Sequence, residues 1–242
     1  TLEYQSVLLG KYGEEADKLI YKFEDQGNRK IGLRYDLTVP LARVVTQYKD
    51  KLPMPFKRYQ IQNVFRADKP QKGRYREFTQ CDIDIVGSSS PLADAEIVAL
   101  IEKALTGLGF LEFTIRINSR QVLFSIMEKA GVLKAKTFSV IQSIDKLDKK
   151  TREEVERELT EKEISTTTIK NIFSLLRTAK PDQYLQEVIA SLDKLKVKPT
   201  SWKFDPTLSR GLDYYTGPIF ETIVTKPKIG SITGGGRYDK LL

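Results

Sequence analysis

Between Phe56 and Gly87 the sequence FKRYQIQNVFRADKPQKGRYREFTQCDIDIVG constrains the fold more than any other stretch. From Thr79 onward the odd positions Cys81, Ile83 and Ile85 are apolar, and the even positions Gln80, Asp82 and Asp84 are polar or acidic. A period of two sends these sets to opposite faces of a strand, which predicts Cys81 in the core. Tyr59 to Arg66 is a second strand-like run with Ile61, Val64 and Phe65, closed by Arg66. Pro70 and Gly73 mark a loop between the runs, and Lys69, Lys72, Arg74 and Arg76 make it basic. The pattern predicts an antiparallel hairpin with a basic tip and an acidic face. A half-buried hairpin with a solvated outer face alternates in the same way. A solvated face, however, seldom sets Gln80, Asp82 and Asp84 in a row, because neighbouring carboxylates repel. Arg66 and Asp68 also flank the turn closely enough to hold a phosphate. The hairpin therefore predicts a site for a ligand that carries both a cation and phosphates.

Composition removes several chemistries. The chain has no histidine and one cysteine, Cys81, so histidine general bases, histidine-ligated metals, an internal disulfide and a cysteine zinc cluster are excluded. A formal net charge of +8 favours a polyanionic partner such as RNA without establishing one. No run of about twenty apolar residues occurs, and the expected location is cytoplasmic, with no membrane partner. The 242 residues suffice for one large domain or a domain with an insertion.

In chain order, Leu2, Leu8, Leu9 and the stretch from Gly13 to Leu19 predict an amphipathic helical start, then a strand over Ile20 to Phe23 and a turn at Asp25 to Asn28. IGLRYDLTVPLARVVTQY reads as a strand entering a helix, where Asp36 and Thr38 serve either as caps or as ligand acceptors. Ser90 and Pro91 open a helix with Ala95, Val98, Ala99, Ile101, Ala104 and Leu105 at helical spacing, ending at Gly107 and Gly109. Phe113, Ile115 and Ile117 alternate as a strand, and Ser119 starts a helix that stops at Gly131. From about Ser139 to Val197 the character changes to short charged helices, with a capping box at Thr151 and Glu154 and another helix after Pro181. Strand character resumes near Lys203. Ile219 to Val224 is predicted to pair with Ile229 to Thr233, and Gly234 to Gly236 predict either a close backbone approach to a ligand or a strand-to-helix turn before RYDKLL. Strands and helices mix without a βαβ repeat, so the fold class is α+β, an antiparallel sheet flanked by helices. Neither GxxxxGK[ST] nor GxGxxG occurs, which leaves arginines to bind phosphate.

Four stretches, in order, carry a resemblance that covers essentially the whole chain: LRYDLTVPLAR, FRADKPQKGRYREFTQCDIDIVG, LSRGLDYYTGPIFE and GGGRYDKLL. They resemble the signatures of the class II aminoacyl-tRNA synthetases, and in detail those of the histidyl-tRNA synthetase family. The resemblance implies a catalytic core over 1–138 and 199–242, interrupted at 139–198 by a helical insertion that reaches toward the tRNA acceptor arm. It also implies that the family's first motif, which builds much of a homodimer interface, begins upstream of Thr1. The third-motif arginine and the anticodon-binding domain would follow Leu242.

By the same resemblance, L-histidine is activated with ATP and Mg2+ to an adenylate and passed to tRNA(His). Arg66 would hold the α-phosphate and Arg210 would meet it or the carboxylate from the other side; two guanidiniums that stay charged and fork onto oxygens suit that task. Asp68 and Arg74 would handle the ATP phosphates or their magnesium, with no residue assigned as a metal ligand. Asp36, Thr38 and Gln80 would take the α-amino group. Asp84 and Tyr215 would supply the acceptor and donor that neutral imidazole needs, with Tyr214 and Tyr238 beside them. Asp36, Asp68 and Asp84 stand where the bacterial pattern usually has glutamate, one methylene longer. The alternative is a synthetase-like regulatory subunit of ATP phosphoribosyltransferase, which shares the fold and lacks the anticodon domain. Retention of Arg66, Arg74, Arg210 and GLDYY weighs against it.

Overall fold

The computed structural model describes residues 1–11, 17–71, 73–210, 215–226 and 230–241. It separates into two compact units, Thr1–Ser89 with Asp239–Leu242, and Ser90–Tyr238.

In the first unit, β1 (Leu2–Tyr4), β2 (Lys22–Glu24) and β3 (Lys30–Leu33) form an antiparallel sheet in the order β1-β3-β2. The predicted turn at Asp25 to Asn28 links β2 to β3: the Asp25 carboxylate accepts from the amides of Gly27 and Arg29, both at 2.9 Å. Asn28 takes φ +57°, a left-handed conformation that asparagine tolerates. The expected helical start is instead β1 followed by the single turn α1 (Gln5–Leu8), and the residues from Gly13 to Ala16 lie outside the described set. Helix α2 (Thr38–Tyr48) opens where Asp36 Oδ1 accepts from the amides of Thr38 and Val39, each at 3.1 Å, and it buries Val39, Leu41 and Val45.

The predicted hairpin is β4 (Phe56–Phe65) with β5 (Glu77–Val86), paired without a break from Phe56↔Val86 to Phe65↔Glu77. Its faces are buried the other way round from the expectation. Asp84 is 7% exposed and Gln80 and Asp82 are half-buried, whereas Cys81 is exposed, as are Tyr59 (77%) and Ile61 (59%). Cys81 is thus not a core residue. The polar face is covered by the segment Arg34–Leu37: Arg34 Nε donates to Asn63 O at 2.7 Å, Phe65 N to Arg34 O at 3.0 Å, and Arg58 Nη2 to Leu37 O at 3.1 Å. Alternation identifies two faces; the ion pairs and backbone partners of the polar one decide which is covered here.

The second unit contains α3 (Pro91–Gly107), β6 (Phe113–Ser119), α4 (Arg120–Lys129), α5 (Thr137–Ile144), α6 (Arg152–Glu161), α7 (Thr166–Thr178), α8 (Gln183–Lys194), β7 (Trp202–Phe204), β8 (Pro218–Val224) and β9 (Ser231–Gly236). Side-chain caps start the helices where polar residues precede apolar runs. Ser90 accepts from Leu92 N, Ser119 from Gln121 N, Ser165 from Thr168 N and Asp182 from Leu185 N. Thr151 and Glu154 form the expected capping box. The sheet runs β7-β6-β8-β9 and is antiparallel except at β6–β7, which is parallel. The long helical excursion between β6 and β7 allows that pairing, since parallel neighbours need a crossover. Ile115, Ile117 and Phe220 pack into one core with α3 and α8. Ile219 joins the other core, built from α4 to α7. Successive strand residues thus face opposite layers, which places Arg116 and Glu221 on the side away from Ile115, Ile117 and Phe220.

The glycines Gly234 to Gly236 are strand residues of β9, opposite Glu221, Phe220 and Ile219, and no helix begins in 237–241. The strand-to-helix turn is therefore replaced by an extended strand. Among the described residues no helix is long and apolar enough to cross a membrane.

Candidate functional site

The predicted residues fall into both units, and each unit gathers its own set. In the first, the polar face of the hairpin aligns Arg58↔Asp84, Gln60↔Asp82 and Gln62↔Gln80 across the two strands. Arg58 Nη2 lies 2.8 Å from Asp84 Oδ2, with the Asp84 side chain buried and that of Arg58 10% exposed. Arg58 also bonds Gln60, and Arg34 bonds Gln62, so the row is cross-linked by two guanidiniums. Gln80 Oε1 is buried with no hydrogen-bond partner among the described residues, an acceptor ready for a donor from outside. Burial pushes the Asp82 carboxyl up to about 6; Asp84 and Asp36 add to the shift, and Arg58 and Arg66 oppose it. Asp36, Asp82 and Asp84 thus form one acidic cluster that favours a cationic group.

At the end of β4, Arg66 Nε donates to Tyr35 O at 3.1 Å, and its guanidinium stacks 4.3 Å from the Tyr35 ring centre and 5.1 Å from that of Phe78. Two aromatic faces and one carbonyl fix the plane of the guanidinium, each stack contributing on the order of 1 kcal/mol. Toward the tip, Arg74 Nε lies 3.6 Å from Asp68 Oδ2, Arg76 Nε donates to Asp68 O at 3.1 Å, Gln71 and Arg74 exchange backbone bonds, and Gly73 takes φ +78°. Burial raises the Tyr35 phenol; Arg66 and Arg74 lower it and Asp68 and Asp36 raise it, so these charges share its surroundings. Among the described residues no three acidic, cysteine or histidine side chains assemble as a metal cage. Asp68 fits the way magnesium is usually held on a nucleotide, by phosphates with one or two protein carboxylates.

In the second unit, Arg210 Nε pairs with Glu221 Oε1 at 2.7 Å, and Arg210 Nη1 donates to Ser231 Oγ at 3.2 Å beside Gly234. Tyr215 is half-buried, packed against the core of α4 to α7. A Cβ at Gly236 would sit 2.7 Å from Pro218 O and 2.9 Å from Tyr215 Cγ, so glycine is required for the ring to lie on this strand. Tyr238 is half-buried and follows Arg237, whose Nη2 pairs with Asp94 Oδ2 at 2.6 Å; Tyr184 donates to the same oxygen at 2.7 Å. Tyr214 lies outside the described residues.

The structure thus brings together Asp36, Thr38, Arg66, Asp68, Arg74, Gln80 and Asp84 in the first unit, and Arg210 with the glycine strand in the second. Sequence reasoning missed Arg58, Tyr35 and Glu221, and noted Asp82 only as part of the acidic row. The Arg58–Asp84 pair follows only once the hairpin register is known, and Glu221 closes a motif whose earlier residues drew the attention.

The family profile described as Histidyl-tRNA synthetase matches residues 1–242. A histidine–tRNA ligase of Gloeobacter violaceus is 44% identical over 285 aligned residues, covering 100% of this chain and 61% of that protein. That of Aeropyrum pernix is 44% identical over 259, covering 100% and 59%. The chain therefore spans about three fifths of the length of these curated relatives. The crystal structure of histidyl-tRNA synthetase from Nostoc sp. PCC 7120 superposes with a TM-score of 0.84 at 30% identity, covering 99% of this chain and 59% of that one. A Bacillus halodurans structure described as an ATP phosphoribosyltransferase regulatory subunit/histidyl-tRNA synthetase reaches 0.83 at 24% identity, covering 100% and 66%, a likeness of fold. With the family profile matched from end to end and relatives sharing more than two fifths of its residues, this chain belongs to the histidyl-tRNA synthetase family.

Proposed function

We propose that the protein carrying this chain is a histidine–tRNA ligase, which activates L-histidine with ATP and transfers it to tRNA(His). The observation that carries the reading is the polar face of the hairpin, where an unpartnered buried acceptor, Gln80 Oε1, stands on the same face as Asp82 and Asp84 and close to a stacked guanidinium, Arg66. An ammonium and an imidazole N–H need such acceptors, and a phosphate needs such a cation.

In the first step, an oxygen of the histidine carboxylate attacks the α-phosphorus of ATP, and the bond to the pyrophosphate oxygen breaks. Negative charge builds on the α-phosphate oxygens, so fixed guanidiniums stabilise the transition state more than the ground state. Arg66 and Arg210 take this role. Asp36, Thr38 and Gln80 hold the amino group; Asp84, oriented by Arg58, accepts the imidazole N–H; Tyr215 answers the other nitrogen, with Tyr214 and Tyr238 beside it. Arg74 holds phosphate, and Asp68 would hold the magnesium that neutralises the triphosphate. In the second step a terminal ribose hydroxyl of the tRNA attacks the acyl carbon and AMP leaves.

The reading extends to organisation and setting. Residues 139–198 act as an insertion in a catalytic core formed by 1–138 and 199–242, and the protein works as a cytoplasmic homodimer. The test is pyrophosphate exchange that depends on L-histidine, measured on the full-length protein. Exchange with histidine and none with other amino acids is expected. Its absence in a folded protein that still binds histidine would favour the second reading, a regulatory subunit of the kind whose fold the Bacillus halodurans structure shares.

A further inference from the structure

We infer that Glu221 is a positioning residue for Arg210, holding that guanidinium in place through a buried charge relay anchored on Arg116. The inference rests on the adenylate-forming role given to Arg210 above.

Four strands set up the relay as one row. Lys203 on β7 stands opposite Arg116 on β6, Arg116 opposite Glu221 on β8, and Glu221 opposite Gly234 on β9. Glu221 is 2% exposed, and each of its oxygens has its own guanidinium: Oε1 meets Arg210 Nε at 2.7 Å, and Oε2 meets Arg116 Nη1 at 3.0 Å. Arg116 is buried as well: its Nη1 also meets Asp148 at 2.6 Å, its Nε meets Asp205 at 2.9 Å, and its Nη2 donates to Thr207 Oγ1 at 3.3 Å. Although burial works against its charged form, these carboxylates raise its pKa on balance. Lys203 lies 3.4 Å from Asp205. Among the described residues, three cations and three carboxylates therefore make up the network, with no formal net charge.

The arrangement fixes Arg210 as well as satisfying Glu221. A buried carboxylate needs donors on both oxygens, and Arg116 supplies the one to Oε2. The other oxygen reaches a side chain that is 48% exposed, on the strand row where Gly234 contributes no side chain. A Cβ at Gly234 would stand 3.8 Å from Arg210 Nη1, so the guanidinium lies over bare backbone. An exposed arginine samples many rotamers, and fixing one before the reaction removes that ordering from the barrier. Glu221 fixes Nε, and Ser231 fixes Nη1.

The test uses the full-length protein and histidine-dependent pyrophosphate exchange. Glu221→Gln and Glu221→Asp should each lower kcat about tenfold or more, with KM for histidine changed by less than about threefold, the signature of an interaction that matters in the transition state. In the Arg210→Ala background, adding Glu221→Gln should change kcat by less than about twofold, because the two residues act as one unit. Near-wild-type kcat in both Glu221 variants overturns the inference and leaves the function intact. So does a loss that multiplies in the Arg210→Ala background, or unfolding of both variants, each of which assigns Glu221 to structure alone. Unchanged exchange in Arg210→Ala overturns the role of Arg210 and the tether with it, and a full-length protein without exchange overturns the functional reading beneath both.

Discussion

Asp82 shows how a single side chain reports on the acidic cluster. Its carboxyl is moved from 3.8 to about 6, by burial first and then by Asp84 and Asp36. Between pH 4 and pH 6 the folded state keeps a proton that the unfolded chain releases, so stability falls as pH rises through that window and levels off above it. Asp82→Asn removes the ionisation. We expect it to raise Tm at pH 7.5 by an amount equivalent to at most about 3 kcal/mol, and to leave Tm unchanged at pH 4. Equal shifts at the two pH values, measured by scanning calorimetry, would remove the raised ionisation of Asp82 as the source. At this scale a motif pointed to Asp84, Arg66 and Arg210 and alternation pointed to Asp82, but neither pointed to Arg58 or Glu221, because their contacts come from cross-strand neighbours that no local pattern specifies.

At the scale of elements, caps and periodicity predicted α2, α3 and α4, the hairpin and the helices between β6 and β7, because those signals are local. The burial of the hairpin faces was not predicted, because covering the polar face depends on Arg34–Leu37, far from β5 in sequence. The α5–α6 pair offers a test of its own electrostatics. Glu158 accepts from Lys146 Nζ at 2.5 Å, Ser143 Oγ at 2.9 Å and Lys150 Nζ at 3.2 Å, with Lys162 Nζ at 3.3 Å. The Lys146 bond first, then Ser143, Lys150 and Lys162, hold its carboxyl at about 2 against partial burial. The stabilisation is complete above its ordinary 4.5 and is lost only as pH falls through about 2. The three lysines are partly exposed, so solvent screening reduces the contribution. Glu158→Gln should destabilise the protein by about 1 kcal/mol at pH 7 and low salt, and by less in 1 M NaCl. Urea denaturation that finds no loss at low salt would remove Glu158 as a tie between these helices.

For the molecule as a whole, fold alone does not choose between ligase and regulator. The Nostoc synthetase and the Bacillus halodurans structure superpose almost equally well, at TM-scores of 0.84 and 0.83. Net charge does not choose either, since the basic surplus is divided evenly between the two units. What separates the readings is whether histidine binding is coupled to chemistry on a phosphate. Arg66 tests that coupling because its anchors, the Tyr35 carbonyl and the rings of Tyr35 and Phe78, hold a cation that histidine recognition does not require. In the full-length protein, Arg66→Ala should lower histidine-dependent pyrophosphate exchange by about a hundredfold or more, the scale expected when a charge that stabilises a transition state is removed. Histidine affinity by calorimetry should change by less than about threefold, because the acceptors at Asp36, Gln80 and Asp84 remain. A regulator would lack exchange before the substitution as well as after it. An equal loss of binding and exchange would instead place Arg66 on the amino acid and take the α-phosphate role from it.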